Sequence, residues 1–328
     1  MINIDNKKKA IQHLTFLGND RIMYIEENKI KIARFELSFK LDYYFPYKKL
    51  NLSTAPMHIK LVDGTEGKNT ILCYAQEETK YSLMLINTNS SVIMDTFIGE
   101  QKEDCQAVEI SHYSRETNEA ILGVVTNVYG ITNEVIQSKL AIYRLTSKIE
   151  KVYSLASKDI ITSICIAGKY ILVAQCLSLN VYKIETVSSN VVLSKVVSVE
   201  SKLYIKEIRS LHKSFFLCSD IFNGIALYFF DEKLSKIFLI ATDDSGIPIL
   251  TSDFYVSSDF VILYSDINCN LYCASKSQDN KQQESEYIKS ESAMTYHSPI
   301  NRMHKINIGS RDYPNYITFI SILLTRHV

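Results

Sequence analysis

The sequence predicts an all-β fold, a β-propeller of about seven irregular four-stranded blades with an incomplete last blade, in one domain over residues 1–328. Apolar segments of about four to eight residues, rich in β-branched and aromatic side chains, indicate strands. The segments recur at a spacing typical of propeller blades. No window shows the periodicity of a capped amphipathic helix, so almost all regular structure should be β.

The strands are clearest where an apolar run is short and bounded by polar residues. Typical runs are Arg21–Ile25, Tyr81–Ile86, Ala120–Val125 and Phe260–Tyr264. Only 10 Gly and 5 Pro residues occur in the chain. The turns must therefore use Asn, Asp, Ser and Lys, as in the segment Asp243–Gly246.

A repeat appears when each buried run is aligned on the turn that follows it. The turns at Gln175, Asp220 and Asp266 each lead into a second, more alternating strand. The same template extends upstream at intervals of about 45 to 50 residues, which is the length of a four-stranded blade. The upstream turns are predicted at Asn127, Gln76 and Glu26. The alternative is a large β-sandwich whose hairpin spacing is coincidental.

Composition limits the classes of partner and compartment. Lys+Arg and Asp+Glu both number 36, and the balance disfavours a chain wrapped along a nucleic-acid backbone or an acidic membrane. No apolar stretch approaches the ~18 residues of a membrane span and no signal peptide is evident, so we expect an intracellular protein with no membrane partner. The 7 Cys residues lie mostly in apolar runs, which favours reduced, buried thiols.

One low-complexity segment interrupts the pattern. Residues Ser275–Glu286 are almost entirely polar. Because an apolar strand pattern resumes near Ile300, the segment is predicted to be a solvated loop between strands of one blade.

Two segments resemble ligand sites only superficially. Gly64–Thr70 has too short a glycine spacing for a phosphate-binding loop, and a polar hairpin turn is favoured. Cys269, Cys273, His297 and His304 could form a zinc set, but their spacing fits no common finger. Cys273 is instead predicted to lie within a strand.

Two groups of polar residues could suggest catalysis. The adjacent carboxylates Asp243 and Asp244 should point apart in a turn, which favours a structural role. His112 with Ser111 and Ser114 lacks a nucleophile elbow or an ordered triad pattern. The sequence therefore names no catalytic, cofactor-binding or metal-binding residue, and we expect no enzymatic activity, no cofactor and no small-molecule substrate.

Three further segments bear on nucleic-acid binding. Lys7–Lys9 and Lys48–Lys49 could contact phosphate, but such clusters are frequent in a Lys-rich chain. Tyr228–Phe230 could stack on bases, although the preceding Leu227 favours a core strand. No interface residue can be named, because one sequence does not separate an exposed apolar anchor from a core strand.

Residues 149–308 resemble the C-terminal propeller of a known family. It contains the large (A) subunit of the cleavage and polyadenylation specificity factor, the large subunit of the damage-specific DNA-binding protein and subunit three of splicing factor 3b. Ile160–Ala174 resembles the family segment that ends in a small-residue turn before a strand, and Tyr204–Asp220 ends where the family usually has Gly-Asp. Ile240–Asp244 resembles its short acidic turn, which precedes a strand matching Ile249–Val256.

Other segments point to one branch of this family. Ala120–Asn127 is similar to the family strand that enters a long hairpin loop. Tyr264–Asp266 before Asn270 resembles the Ser-Asp turn of the polyadenylation branch more than the Gly-Ala turn of the other two. The polar insert at 275–286 and a strand around His297–Met303 lie where that branch has them.

The resemblance implies a nuclear, non-enzymatic scaffold of pre-mRNA 3′-end processing, with other subunits of that complex as partners and limited RNA contact. The alternatives are an adaptor in a ubiquitin ligase or DNA-damage complex and a nucleic-acid-binding propeller of a splicing particle. Family members are several times longer and contain three propellers. The chain, which ends at Thr325–Val328, is therefore expected to be a fragment, a misassigned gene end or a reduced relative.

Overall fold

The structure is a computed structural model whose described ranges contain β-strands, turns and no helix. No helix that could span a membrane occurs among these residues. The structure describes residues 11–18, 21–26, 29–34, 56–62, 70–77, 80–87, 90, 92–111, 119–187, 190–201, 203–211, 214–220, 222, 224–243, 245–256, 261–277, 286–295, 299–300, 302–307 and 317–322.

Contacts divide the chain into two compact units, Met1–Asn51 and Leu52–Val328. The described part of the first unit is a three-stranded antiparallel sheet. Its strands are β1 (Ile11–Gly18), β2 (Arg21–Glu26) and β3 (Lys29–Arg34). Because Glu26 pairs with Lys29, the turn expected at Glu26 connects β2 and β3.

The described part of the second unit contains three separate four-stranded sheets, one eight-stranded sheet and one two-stranded sheet. The eight-stranded sheet consists of two four-stranded groups, joined by a short parallel pairing of residues 241–242 with residues 286–287. Five groups of consecutive antiparallel strands result, which we call blades 1 to 5.

The strands of blade 1 are β4 (Pro56–Val62), β5 (Thr70–Glu77), β6 (Lys80–Asn87) and β7 (Val92–Ile98). Those of blade 2 are β8 (Glu103–Ile110), β9 (Ala120–Tyr129), β10 (Val135–Leu145) and β11 (Ile149–Ser157). Those of blade 3 are β12 (Ile161–Ala167), β13 (Tyr170–Gln175), β14 (Ser178–Val187) and β15 (Asn190–Glu200).

The strands of blade 4 are β16 (Ile205–Leu211), β17 (Phe215–Asp220), β18 (Gly224–Asp231) and β19 (Lys236–Thr242). Those of blade 5 are β20 (Ile249–Val256), β21 (Val261–Asp266), β22 (Asn270–Ser277) and β23 (Glu286–Thr295). A further antiparallel pair is formed by β24 (Arg302–Asn307) and β25 (Ile317–Ile322).

The first strands of successive blades lie side by side, with β12 between β8 and β16, and β20 between β16 and β24. We call these first strands the inner strands. Side-chain hydrogen bonds join equivalent positions of neighbouring inner strands. Ile208 N donates to Ser163 Oγ at 3.2 Å, and Lys206 Nζ donates to Leu250 O at 3.0 Å. The inner strands therefore run in one direction, and corresponding turns of blades 3, 4 and 5 emerge at the same end.

The core lies between blades rather than within one layer. Each of four apolar clusters joins two consecutive blades, from blades 1 and 2 to blades 4 and 5. In β10, Ala141 and Tyr143 pack against blade 1, whereas Leu140 and Ile142 pack against blade 3. Burial on both faces explains why the middle strands are nearly continuous apolar runs in the sequence.

This arrangement confirms the predicted all-β, propeller-like fold. Gln175, Asp220 and Asp266 end the second strand of blades 3, 4 and 5, so the repeat was aligned on equivalent turns. Blades 1 to 5, the sheet β1–β3 and the pair β24–β25 account for the repeats expected along the chain. The boundaries of a single domain stay a prediction.

Three sequence boundaries were wrong. The turn expected at Asn127 follows Tyr129 instead, because Asn127 lies within β9 and pairs with Ser138 of β10. Ser275–Ser277 belongs to β22 and Glu286 begins β23, and Ser277 pairs with Tyr287. The β pattern therefore resumes at Glu286 rather than near Ile300, because polar side chains are accommodated on a partly exposed strand pair. The strand expected around His297–Met303 begins at Arg302 instead, since residues 299–300 are not in a strand.

Candidate functional site

The turns between the second and third strands form the most regular feature of the blades. In blade 4, Asp220 is fully buried and accepts hydrogen bonds from Tyr204 N at 2.5 Å and Phe222 N at 2.6 Å. One carboxylate thus fixes its own turn and the segment that enters the same blade. We call the end of the blades at which these turns lie the loop end.

Asp266 has the same position in blade 5. Its Oδ1 accepts from Asn268 N at 2.9 Å and Asn270 N at 2.8 Å, and its Oδ2 accepts from Asn270 Nδ2 at 2.9 Å and Tyr272 Oη at 3.0 Å. Burial by itself raises the pKa of Asp266, but these hydrogen bonds to the carboxylate hold the pKa below its usual value. The turn is therefore organised by an ionised, buried side chain.

Blade 3 uses a neutral side chain at this position. Gln175 Nε2 donates to Ser157 Oγ at 2.8 Å and to Asp159 Oδ2 at 3.2 Å, while its Oε1 accepts from Asn180 Nδ2 at 3.2 Å. An amide can both donate and accept, so Gln175 links two connections of the loop end.

Each of these turns presents one exposed apolar side chain. The exposed fractions are 55% for Leu177, 64% for Phe222 and 54% for Ile267, and the equivalent hairpin of blade 2 exposes 92% of Ile131. We call these four residues the apolar tips. Cys176 and Cys269, beside two of the tips, have φ values of 48° and 66°, which shows tightly bent turns.

Exposed charges at the loop end are of both signs. Described connections there carry Glu100, Lys102 and Lys158, together with Asp159 and Glu200 at the entry to and exit from blade 3. This mixture does not form the basic stripe expected of a nucleic-acid surface. Apolar tips surrounded by mixed charges are typical of a surface that binds protein.

A second site candidate is a cavity of about 280 Å³ between the inner strands. A register shift near the start of each inner strand of blades 2 to 5 leaves one residue out of the pairing. The extra residues are Gln106, Thr162, Lys206 and Leu250, and all four line the cavity. Thr162 Oγ1 donates to Ile205 O of the next blade at 2.5 Å.

Four charged groups of this cavity form two ion pairs. Lys60 Nζ lies 2.6 Å from Glu109 Oε2, and Arg209 Nη2 lies 2.7 Å from Glu207 Oε1. Glu207 Oε2 also accepts from Thr251 Oγ1 at 3.0 Å and from Ser252 N at 3.1 Å. These contacts join blade 1 to blade 2 and blade 4 to blade 5, so the cavity polar groups hold neighbouring blades together.

The pKa of Arg209 agrees with a role of the cavity polar groups in holding neighbouring blades together. Burial by itself lowers the pKa of the guanidinium, but the nearby carboxylates of Glu207, Asp253 and Glu109 raise the pKa above its usual value. The group stays charged, and its main partner is a carboxylate of its own strand.

Of the acidic pair considered for catalysis, Asp243 is buried and accepts from Ser245 N at 2.9 Å and from Ser245 Oγ at 2.8 Å. The structural role predicted for it is confirmed, whereas Asp244 lies outside the described residues. Ser111 Oγ accepts from Ile121 N at 2.9 Å, while His112 and Ser114 are likewise outside the described part.

The proposed zinc ligands are only partly covered by the structure. Cys273 lies in β22 as predicted, and Cys269 lies in the preceding turn. The side chains of His297 and His304 are outside the description. Within the described residues, no group of three or more His, Cys, Asp or Glu side chains is placed to hold a metal ion.

The cysteines that the structure describes are all free thiols. Cys105, Cys165 and Cys218 are buried, as the apolar runs predicted. Burial raises the pKa of Cys165 to about 12, so this thiol stays protonated and unreactive near neutral pH.

The aromatic run is a core strand at two of its three positions. Tyr228 and Phe230 are buried against blade 3, which confirms the prediction. Phe229 points to the other face, where its ring centroid lies 4.9 Å from that of Phe215 and 6.5 Å from that of Phe238. The lysine clusters 7–9 and 48–49 and the segment 64–69 are outside the described residues.

Comparison with known families decides the relationship of the chain. A family model for the CPSF A subunit region, named after the cleavage and polyadenylation specificity factor, matches residues 80–326. The chain belongs to the CPSF A subunit family. The matched region of this family begins with β6 and includes blades 2 to 5 and the pair β24–β25. No curated protein in the comparison matches the chain.

Sequence reasoning located the turns of this site but missed its exposed side chains. The available signal was an isolated apolar residue directly after the turn residue, as Ile267 follows Asp266. In a strand-rich chain such a residue resembles the start of the next strand, so the sequence alone does not identify it as exposed.

Proposed function

We propose that this CPSF A family protein is a non-enzymatic scaffold of the nuclear pre-mRNA 3′-end processing machinery. Its partners are other protein subunits of that machinery, bound through the apolar tips. The observation that carries the proposal is the row of exposed apolar residues at equivalent turns of successive blades, in a chain that belongs to this family.

The chemistry of the tips supports a protein partner. An aromatic residue such as Phe222, held by the backbone bond of its own turn, can enter a pocket with little further loss of conformational freedom. The mixed charges of the loop end and the net charge of +0 favour protein over extended nucleic acid. RNA contact in this proposal is limited and local.

The test is affinity purification of the tagged full-length chain from its own cells, with and without nuclease. We compare the unaltered protein with a tip variant, Phe222→Ser with Ile267→Ser. The matched control is Leu234→Ser, because Leu234 is 60% exposed but lies in the β18–β19 turn at the opposite end. All these changes are at exposed positions, so the free energy of unfolding should shift by less than ~0.5 kcal/mol for each residue.

We expect nuclease-resistant recovery of 3′-end processing subunits with the unaltered protein and with the control, and at least tenfold lower recovery with the tip variant. Equal recovery with the tip variant would contradict the role of the tips. Recovery of ubiquitin-ligase or splicing proteins instead would overturn the proposed machinery. Recovery that nuclease abolishes would favour RNA as the main partner.

A further inference from the structure

The outer strand of blade 1, β7, differs from most strands at the edge of a protein β-sheet. Within the described residues, β7 pairs on one side only, with β6. Four of its seven residues are exposed apolar side chains, with exposed fractions of 56% for Val92, 43% for Ile93, 40% for Met94 and 64% for Ile98. Exposed apolar edges promote uncontrolled strand pairing, so proteins usually cover or charge them.

The single charge on β7 does not protect its outer edge. Asp95 Oδ2 accepts a hydrogen bond of 2.7 Å from Ile149 N, at the start of β11. The carboxylate is therefore directed towards blade 2. The remaining residues of the strand are Val, Ile, Met, Thr and Phe, none of which repels an approaching strand.

The outer strands of the next two blades are protected in the usual way. In blade 2, β11 exposes Glu150 and Lys151, and in blade 3, β15 exposes Lys195 and Glu200. These strands have the same place in their blades as β7. In blade 4, β19 also exposes the apolar Phe238 and Leu239, but it carries the exposed charge of Lys236. Among these four outer strands, only the described β7 lacks an exposed charge.

We infer that β7 is a docking edge for an extended apolar segment of a partner protein, which adds to blade 1 as a fifth strand. Backbone N–H and C=O groups along such an edge are complementary to another strand, and alternate apolar side chains would contact both faces. The inference rests on the proposed scaffold function in that the partner is a protein subunit, but it concerns a different surface.

A partner segment fits this edge better than a second copy of the chain. The edge is seven residues long, whereas a stable interface uses roughly 20–30 residues on each side. A self-pairing of β7 would thus be too small without further contacts. A partner segment can continue past Ile98, where the chain enters the connection to β8 at the loop end, and reach the apolar tips.

Hydrogen exchange of residues 92–98 tests the inference directly. We compare the free full-length chain with the complex purified through its tag from its own cells. In the free chain, the alternate amides of these residues that do not bond to β6 should exchange rapidly. In the complex, their exchange should be at least tenfold slower, while exchange of the charged strand β11 is unchanged. Slow exchange in the free monomer would show that another segment of this chain covers β7 and would overturn the inference.

Charged substitutions provide the second measurement. Met94→Lys places a repelling charge on the exposed side of β7, and Ser154→Lys is the matched change at an exposed position of β11. Met94→Lys should lower partner recovery at least tenfold, and Ser154→Lys should leave it unchanged. Thermal unfolding of both variants checks that they fold like the unaltered chain. If Met94→Lys unfolds the chain, Val92→Lys replaces it.

The outcomes separate this inference from the proposed function. A complex that requires Phe222 but leaves β7 unprotected would retain the scaffold function and overturn the docking edge. A free chain that is dimeric by light scattering, with β7 protection lost on dilution, would make a second copy the occupant. Recovery of no protein subunit at all would overturn both.

Discussion

The central cavity and the loop end use polar side chains in opposite ways. In the cavity, Glu207 and Arg209 pair with each other, and Glu207 also bonds the neighbouring inner strand. At the loop end, Asp220 and Asp266 each accept hydrogen bonds from backbone N–H groups of their own turns, and an apolar residue is exposed beside each of them.

The difference teaches which surface is available for binding. Lys60, Glu109 and Glu207 already have partners across blades, so a ligand there would have to replace bonds that hold the blades together. Apolar tips such as Phe222 are not needed to hold the structure together in this way, because their turns are held by the backbone and the buried carboxylate. A rigid set of blades can therefore present binding residues without using them for its own stability.

The largest expected effect is on the cavity. Glu207→Ala removes the carboxylate that pairs with Arg209 and accepts bonds from residues 251 and 252, leaving a mostly buried cation without its main partner. We expect the free energy of unfolding to fall by about 3 kcal/mol. Urea unfolding followed by circular dichroism measures this change.

The control for this variant is Glu200→Ala, which removes an exposed carboxylate at the end of β15 and should cost less than ~0.5 kcal/mol. Glu207→Gln keeps an acceptor oxygen and should lie between the two. If Glu207→Ala is no less stable than Glu200→Ala, the cavity ion pair does not stabilise the inner strands.

A smaller, pH-dependent effect is expected at the loop end. Asp266→Asn replaces one carboxylate oxygen by an NH2 group, which can only donate. Because that oxygen accepts hydrogen bonds from Asn270 Nδ2 and Tyr272 Oη, the free energy of unfolding should fall by about 2 kcal/mol at pH 7. Because the pKa of Asp266 is lowered in the folded state, the stabilisation is present above its unfolded value near pH 4. It is lost as the pH falls through the lower folded pKa.

Urea unfolding at pH 7 and pH 3 checks this sign. The stability difference between the unaltered protein and Asp266→Asn should shrink at the lower pH. Asp231→Asn is the control, because Asp231 also accepts two backbone N–H bonds but lies partly exposed at the opposite end. A difference that grows on acidification would contradict an ionised Asp266.

The smallest effect is expected in blade 3. Gln175→Ala removes neutral, partly exposed hydrogen bonds to Ser157, Asp159 and Asn180, and should cost about 1 kcal/mol. Asp220→Ala, measured in the same urea series, should cost about 2 kcal/mol because it removes the acceptor of two part-buried backbone N–H groups. Equal losses would show that charge at this turn position does not matter.

Several elements could be predicted from sequence because their signals are local. The turn residues Gln175, Asp220 and Asp266 follow buried runs and precede alternating strands, so a repeat of blade length was visible. The strand Ile249–Val256 has the bounds that the family resemblance implied. By contrast, Ser275–Ser277 is polar and yet pairs with β23, since strand pairing satisfies the backbone whatever the exposed side chains are.

The candidate site was less accessible to sequence reasoning. The exposure of Leu177 and Phe222 depends on where each turn lies relative to the neighbouring blades, and no spacing rule reports that. The cavity depends on the register shifts that turn Thr162 and Lys206 out of the pairing. Both features require strands that are distant along the chain to be placed side by side.

The sequence by itself determined the strand-rich composition, the blade-length repeat and the family resemblance, because these follow from local side-chain patterns. Tertiary structure alone decided that Glu207 holds two blades together, that Phe222 is exposed and that β7 lacks the exposed charges of β11 and β15. The physical reason is that burial and ion pairing depend on which strands become neighbours, and that choice is made only when the blades pack.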